Sequence, residues 1–278
     1  MNNAKLYKHK KGLQQSDSVY VIENFSKYLR WKDQKETILD VGCGDGHTLC
    51  EILLPRIADN VEKVVGADSS RDMVEFARDE YECQNVVFEQ LDVETVDVPE
   101  KFREKFDHIF SFFCLHWVIK QSVALNNIYN MLKPEGQILL TFLAKNPIYD
   151  IYEEMSKMEK WAKYKKDYRK FVSPYHNSPD PEEEVRTILK KVGFHVTICR
   201  SERRCYSFPN LATLNGSVKA VNPFLSRIPE EDHESYFEDY DNIMKRSKDV
   251  IWEKHNNNDN GKFHCFHELM IVVASKGY

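Results

Sequence analysis

Glu36-Thr-Ile-Leu-Asp40-Val-Gly-Cys-Gly-Asp-Gly46 decides how this chain is read. An apolar run of strand length ends in glycines at positions 42, 44 and 46. Glycine at alternate positions lets a backbone turn sharply and lets another group come close. Outward from this turn, strand and helix patterns alternate. Residues 37–41, 61–67, 86–90, 106–113 and 137–143 read as strands. Residues 47–57, 69–78 and 122–132 read as helices. A helix over 17–31, capped by Ser16 or Asp17, precedes them. This rhythm predicts an α/β fold with a doubly wound, Rossmann-like sheet that is mostly parallel. Runs such as Gln137-Ile-Leu-Leu-Thr-Phe-Leu143 lack alternation, which fits strands covered on both faces.

After residue 145 the rhythm changes. Residues 146–171 read as helical, and 181–192 as a helix with Pro181 in its first turn and Gly193 past its end. Strands at 194–208 and 262–276 enclose a mostly helical stretch, 209–255, so they are expected to close the sheet as an antiparallel pair. One domain is therefore expected over 1–278. Residues 1–31 form a lid and helix, 36–145 the core, and 146–192 and 209–255 two helical cap insertions.

Composition narrows the function. The chain has 278 residues, 42% hydrophobic and 30% charged, enough for a sizeable core. Thirty-nine Lys and Arg against forty-four Asp and Glu give a net charge of −5, which argues against nucleic acid as a partner. The seven cysteines show no Cys-x-x-Cys spacing and read as reduced thiols of a cytoplasmic protein. No apolar run approaches the roughly 20 residues of a membrane span. His264, Cys265 and His267 hold metal-ligand chemistry, but His264 and His267 on one strand would face opposite ways, so no metal is expected.

In open α/β sheets ligands bind beyond the carboxyl ends of the strands, near the point where strand order reverses. The residues there are Asp40, Gly42 and Gly44 after the first strand and Asp68 after the second. Asp92 and Val93 follow the third, and Ser111 through Trp117 the fourth. The dinucleotide fingerprint spaces its glycines Gly-x-Gly-x-x-Gly, whereas here the third comes one residue early. Asp40 and Asp45 flank the turn and would repel a pyrophosphate, and no Lys-Ser/Thr follows for a triphosphate loop. An acidic glycine turn suits a cofactor with an ammonium and a nucleoside but no phosphate, such as S-adenosyl-L-methionine. Asp68 is placed to accept its ribose hydroxyls and Asp92 its adenine amino group.

These features together resemble the class I S-adenosylmethionine-dependent methyltransferases over about residues 36–143. A narrower resemblance runs nearly end to end. Leu13-Gln14, Ser111-Phe-Phe-Cys-Leu-His-Trp117, Leu132-Lys-Pro-Glu-Gly136, Phe142-Leu-Ala-Lys-Asn-Pro-Ile148, Phe171-Val-Ser-Pro-Tyr-His176 and Ala220-Val-Asn-Pro-Phe-Leu225 are similar to the insect juvenile hormone acid O-methyltransferases. The resemblance implies methylation of a carboxylate, juvenile hormone acid or farnesoic acid, with Gln14 and Trp117 gripping it and His116 and Tyr175 beside it. Gln14, rather than the adjacent Gln15, matches by register. A terpenoid or fatty carboxylic acid would be the small-molecule partner, and a homodimer stays open.

A carboxylate is already ionised at neutral pH, so its methylation needs no general base. Two neutral donors orient it without damping its nucleophilicity as a Lys or Arg would. An alcohol or phenol acceptor would instead need a base, and His116 is the candidate. The alternatives are thus a methyltransferase for another acid, phenol or amine, or a non-catalytic terpenoid-binding paralogue. Trp117 on an apolar stretch also fits plain core packing. Gln14 in a lysine-rich segment also fits a mobile tail. Its functional role requires the N-terminal segment to fold over the cofactor, with Tyr7 nearby.

Overall fold

The computed structural model describes residues 10–253 and 261–277. The N-terminal helix α1 (Gly12–Phe25) leads into β1 (Glu36–Val41) and β2 (Val61–Asp68). Helix α2 (Arg71–Tyr81), β3 (Val86–Gln90), β4 (Phe106–Phe112), α3 (Gln121–Met131) and β5 (Leu132–Lys145) complete the expected alternation. Then come α4 (Pro147–Ser156), α5 (Pro181–Val192) and β6 (His195–Phe208). Helices α6 (Leu211–Val221) and α7 (His233–Met244) precede β7 (Val250–Glu253) and β8 (Lys262–Ser275). Side-chain caps set several starts: Ser70 for α2, Asn146 for α4, Asp180 for α5 and Asn210 for α6. Gly193, at φ +113°, ends α5 in the left-handed conformation.

The sheet runs β3-β2-β1-β4-β5-β8-β6, with β7 added against β8. Strands β1 to β5 pair in parallel, and β8 lies antiparallel to both β5 and β6. The order reverses at β1, between β2 and β4, which opens the crevice at their carboxyl ends. Successive residues along the strands feed two apolar layers. Ile38, Val64, Phe110 and Leu139 face α1 and the cap helices, whereas Leu39, Val65, Ile109 and Leu140 face α3 and α5. That double coverage is why these strands show no polar alternation.

Several local expectations are corrected. Helix α1 starts at Gly12, so Ser16 and Asp17 lie inside it and Asp17 is buried. The segment after the glycine turn is a π-helix, Thr48–Leu53, followed by a short α-helix, Leu54–Ile57. The 146–171 stretch breaks after Ser156 into Glu159–Ala162 and Tyr168–Phe171. Lys133-Pro-Glu-Gly136 lies inside β5 at a register shift, with Glu135 at φ +64°, rather than in a loop before it. Strand β7 lies within a stretch expected to be helical; its four residues are too few to show a period. Tyr7 lies outside the described residues.

Candidate functional site

The glycine turn hangs from β2. The Gly42 and Cys43 N–H groups both donate to the Ala67 carbonyl, at 2.7 and 3.0 Å. Gly42, Gly44 and Gly46 adopt φ of +75°, +56° and +78°, where side-chain-bearing residues are strained. A Cβ on Gly42 would also sit 2.3 Å from the Cys114 side chain. The turn is therefore pressed against the segment after β4, and the third glycine arrives early because the backbone reverses at each alternate residue.

Three carboxylates stand at or just past the carboxyl ends of the first three strands. Asp68 Oδ2 accepts from the Gly44 N–H at 2.9 Å, and its Oδ1 from the Ser70 N–H at 2.8 Å, so backbone fixes it from both sides. Burial raises its pKa while those two hydrogen bonds oppose the rise. Asp40 is buried, and its Oδ1 has no hydrogen-bond partner among the described residues. Burial, and then the charge of Asp68, push its pKa up to about 8. Asp92 is exposed, with Oδ1 accepting from the Glu94 N–H at 2.8 Å. Val93 is buried beside it, its carbonyl accepting from Asn127 Nδ2 at 2.8 Å. Ser111 is buried and donates its hydroxyl to the Val41 carbonyl at 2.8 Å. That bond braces the base of the turn at the strand end where the sequence expected Ser111.

Asp45 departs from the sequence argument more strongly. Rather than adding negative charge to the turn, it forms a buried ion pair with Lys11. Two residues on, His47 Nε2 meets Gln15 Nε2 at 2.8 Å. Both contacts fasten the start of α1 to the glycine turn. Farther along α1, Asp17 receives His267 at 2.6 Å and Arg204 at 3.1 Å, and Tyr20 donates to Glu202 at 2.8 Å. The helix is thus tied at one end to the turn and along its length to β6 and β8. Spacing alone could not pair residues 34 positions apart, so Lys11 and His47 carried no sequence signal.

With Gln15 directed to His47, its neighbour Gln14 lines a cavity between the sheet and the cap. Trp117, His116 and Phe113 enter from the turn after β4, and Ile148, Tyr149 and Ile151 from α4. Helices α6 and α7 add Leu214, Val218 and Tyr240, and the sheet adds Leu143, Phe208, Val250 and Cys265. The empty space between these walls, open solvent at the mouth included, is about 860 Å³. No Lys, Arg, Asp or Glu is among its described lining residues. Phe113 holds φ +57°, a left-handed conformation rare for a bulky side chain, and from it the chain turns into Leu115–Trp117. The His116 and Trp117 rings lie 4.9 Å apart.

The polar end of the cavity is neutral. Neither the Gln14 amide nor the Trp117 indole N–H makes a hydrogen bond to another described residue. His116 is buried, and burial takes its pKa down to about 3. Its Nδ1 accepts from the Leu143 N–H at 3.5 Å, which places the ring proton on Nε2. A neutral imidazole of that tautomer is a donor and a feeble base.

Gln14, His116 and Trp117 thus line one cavity, and the segment from Phe113 to Trp117 packs through Cys114 on Gly42 of the glycine turn. Tyr175 does not join them. Its hydroxyl donates to Gln121 Oε1 at 3.1 Å, and its ring packs on Phe142 at 5.7 Å. Phe142 and Leu143 point to opposite faces of β5, and only Leu143 lines the cavity. Phe113, Asn146 and Tyr149 also line the cavity, and sequence reasoning offered them only as members of longer segments, not as individual site residues. His264 faces Ser207 and Glu253, while His267 turns to Asp17, and no cluster able to hold a metal occurs among the described residues. All seven cysteines are free, and no described helix is long and apolar enough to cross a membrane.

Comparison with known proteins gives concordant matches. A family model described as a methyltransferase domain matches residues 14–197. The chain is 35% identical to the juvenile hormone acid O-methyltransferase of Drosophila melanogaster, over 99% of this chain and 93% of that protein. It is 36% identical to the Bombyx mori protein of the same name, over 93% of this chain and 91% of that one. Among solved structures, the YcgJ protein of Bacillus subtilis superposes with a TM-score of 0.60 at 16% identity, covering 93% of this chain and 99% of that one. Haemonchus contortus phosphoethanolamine N-methyltransferase 2, solved with S-adenosyl-L-methionine, gives 0.55 at 16% identity, over 99% of this chain and 57% of that one. At such identities these two structures establish the shared fold.

Proposed function

The chain belongs to the methyltransferase family that includes the insect juvenile hormone acid O-methyltransferases, and we propose that it is an S-adenosyl-L-methionine-dependent carboxyl O-methyltransferase acting on juvenile hormone acid or farnesoic acid. One observation carries the acceptor class. The cavity is mostly apolar, and among its described lining residues the polar end offers neutral donors, no cation and no competent base. A phenol or alcohol must lose a proton to attack, and His116 at a pKa of about 3 is poorly suited to take it. A carboxylate arrives ionised.

The glycine turn fits the cofactor. Asp40 keeps a buried, unpartnered oxygen suited to an ammonium, and Asp68 holds lone pairs toward the crevice for ribose hydroxyls. Asp92 and Val93 end the next strand, where adenine would lie. When bound, S-adenosyl-L-methionine supplies an electrophilic sulfonium methyl. Gln14 and Trp117 hold one carboxylate oxygen by N–H donation and leave the other unblocked. His116 adds a third donor through Nε2–H. The apolar walls exclude water, which keeps the carboxylate reactive and admits a terpenoid chain. Alignment and desolvation then do most of the catalysis.

Methyl transfer from labelled cofactor to a panel of juvenile hormone acids, farnesoic acid, straight-chain fatty acids and phenols tests this reading. Ester formation on the terpenoid acids is expected, with phenols inert. Transfer to phenols alone, or to no compound, overturns it.

Asp40 gives the binding step a pH signature. With its pKa at about 8, Asp40 is mostly neutral at pH 7 in the cofactor-free protein. A cation docking beside it favours the carboxylate and lowers that pKa, so binding releases a proton below pH 8. Affinity is therefore expected to rise with pH between roughly 6 and 8, by at most about tenfold per unit, and to fall again above, where the cofactor's own ammonium loses its proton. Calorimetric titration in buffers of different ionisation enthalpy reads the released proton directly. Asp40→Asn should flatten the rise, and a wild-type profile flat over that range would remove Asp40 from the ammonium site.

A further inference from the structure

Tyr149 lies in the first turn of α4, 1% exposed, and lines the cavity. Its hydroxyl is buried and has no hydrogen-bond partner among the described residues. The ring is held in place by an edge-to-face contact with His176, 5.2 Å between centroids. Two other polar groups on the cap side are hydrogen-bonded within it, whereas the Tyr240 hydroxyl on α7 makes no hydrogen bond to a described residue. The Asn146 side chain caps α4 through the Ile148 N–H at 3.0 Å, and the Ser217 hydroxyl donates to the Thr213 carbonyl at 3.2 Å. A phenylalanine would fill the same apolar wall without stranding a hydroxyl, and stranded buried hydroxyls are uncommon because they are destabilising. Burial also keeps the phenol protonated, by raising its pKa. Tyr149 therefore brings an unpartnered donor to a wall that is mostly apolar.

We propose that Tyr149 is a specificity-determining residue that donates a hydrogen bond to a second oxygen of the acceptor, carried on its chain rather than in its carboxylate. This inference rests on the carboxylate-acceptor reading above. The three donors to the carboxylate come from α1 and from the turn after β4, whereas Tyr149 comes from α4. An epoxide, ether or carbonyl oxygen satisfies the phenol, and a plain hydrocarbon chain leaves it stranded. Sites built around one such hydrogen bond discriminate against the analogue that lacks it.

The test compares farnesoic acid with the same acid carrying an epoxide on its chain, by kcat/KM for ester formation, in the wild-type protein and in Tyr149→Phe. Wild type should favour the epoxide by about tenfold, and Tyr149→Phe should remove that preference by slowing the epoxide alone. A preference unchanged by the substitution overturns the proposal. So does an equal loss on both acids, which would place the phenol at the carboxylate or in the fold. If Tyr149→Phe does not fold, the wild-type protein decides with the epoxide against its cyclopropane isostere. Similar shape without the oxygen should cost about tenfold, and equal rates overturn the inference. Equal, efficient use of plain and oxygenated acids defeats this inference alone. Failure to methylate any acid defeats the carboxylate reading and this inference with it.

Discussion

Trp117→Ala and Gln14→Ala are each expected to lower kcat/KM for the acid by at least about a hundredfold while cofactor affinity stays within about twofold. The two N–H groups enter one cavity from separate elements, and neither has a hydrogen bond to another described residue. An oxygen held by both is fixed in direction, and a displacement at carbon depends steeply on direction. Removing either donor leaves the carboxylate free to rotate or to draw in water. Trp117→Phe keeps most of the apolar surface and drops the N–H, so it separates packing from donation: a loss close to that of Trp117→Ala assigns the effect to the hydrogen bond. Steady-state kinetics with calorimetry of cofactor binding reads both quantities. Near wild-type rates in both alanine variants would dismiss the grip.

Asp68→Ala should act on the other substrate. Its carboxylate anchors the Gly44 and Ser70 N–H groups and would accept from the ribose. Charge-assisted hydrogen bonds contribute about 1.5–3 kcal/mol each, so losing the ribose pair should weaken cofactor binding by at least about a hundredfold. The nucleoside product should weaken in parallel, because it carries the same ribose. Turnover at saturating cofactor should fall far less. Unchanged affinity would undo the ribose assignment, and a loss confined to turnover would mean that Asp68 only shapes the turn.

Much of the fold was legible because the parallel strands are buried on both faces and punctuated by capped helices. Ser70, Asp180 with Pro181, and Gly193 announce helix ends by local chemistry alone. The cofactor turn was legible for the same reason, since positive φ at residues 42, 44 and 46 demands glycine. What escaped depends on contacts distant in sequence. Lys11 in a lysine-rich segment looks solvated, yet it is buried against Asp45. Ser111 occupies the expected strand end but turns its hydroxyl to Val41. Tyr175 follows a resemblance in sequence, while the pleat of β5 puts its partner Phe142 on the far side of the sheet. Strand β7 owes its existence to β8, which it flanks.

The fastening of α1 has a mechanical consequence. Gln14 rides on a helix whose first turn is pinned to the cofactor turn through Asp45 and His47, and whose body is pinned to β6 and β8 through Asp17 and Tyr20. The expected acceptor grip is therefore mechanically coupled to the cofactor turn, so a change that loosens one is expected to displace the other. The cap helices α4, α6 and α7 line the same cavity mainly with apolar side chains and a few hydroxyls, so their substitution is expected to reshape the space for the chain of the acid without moving Gln14.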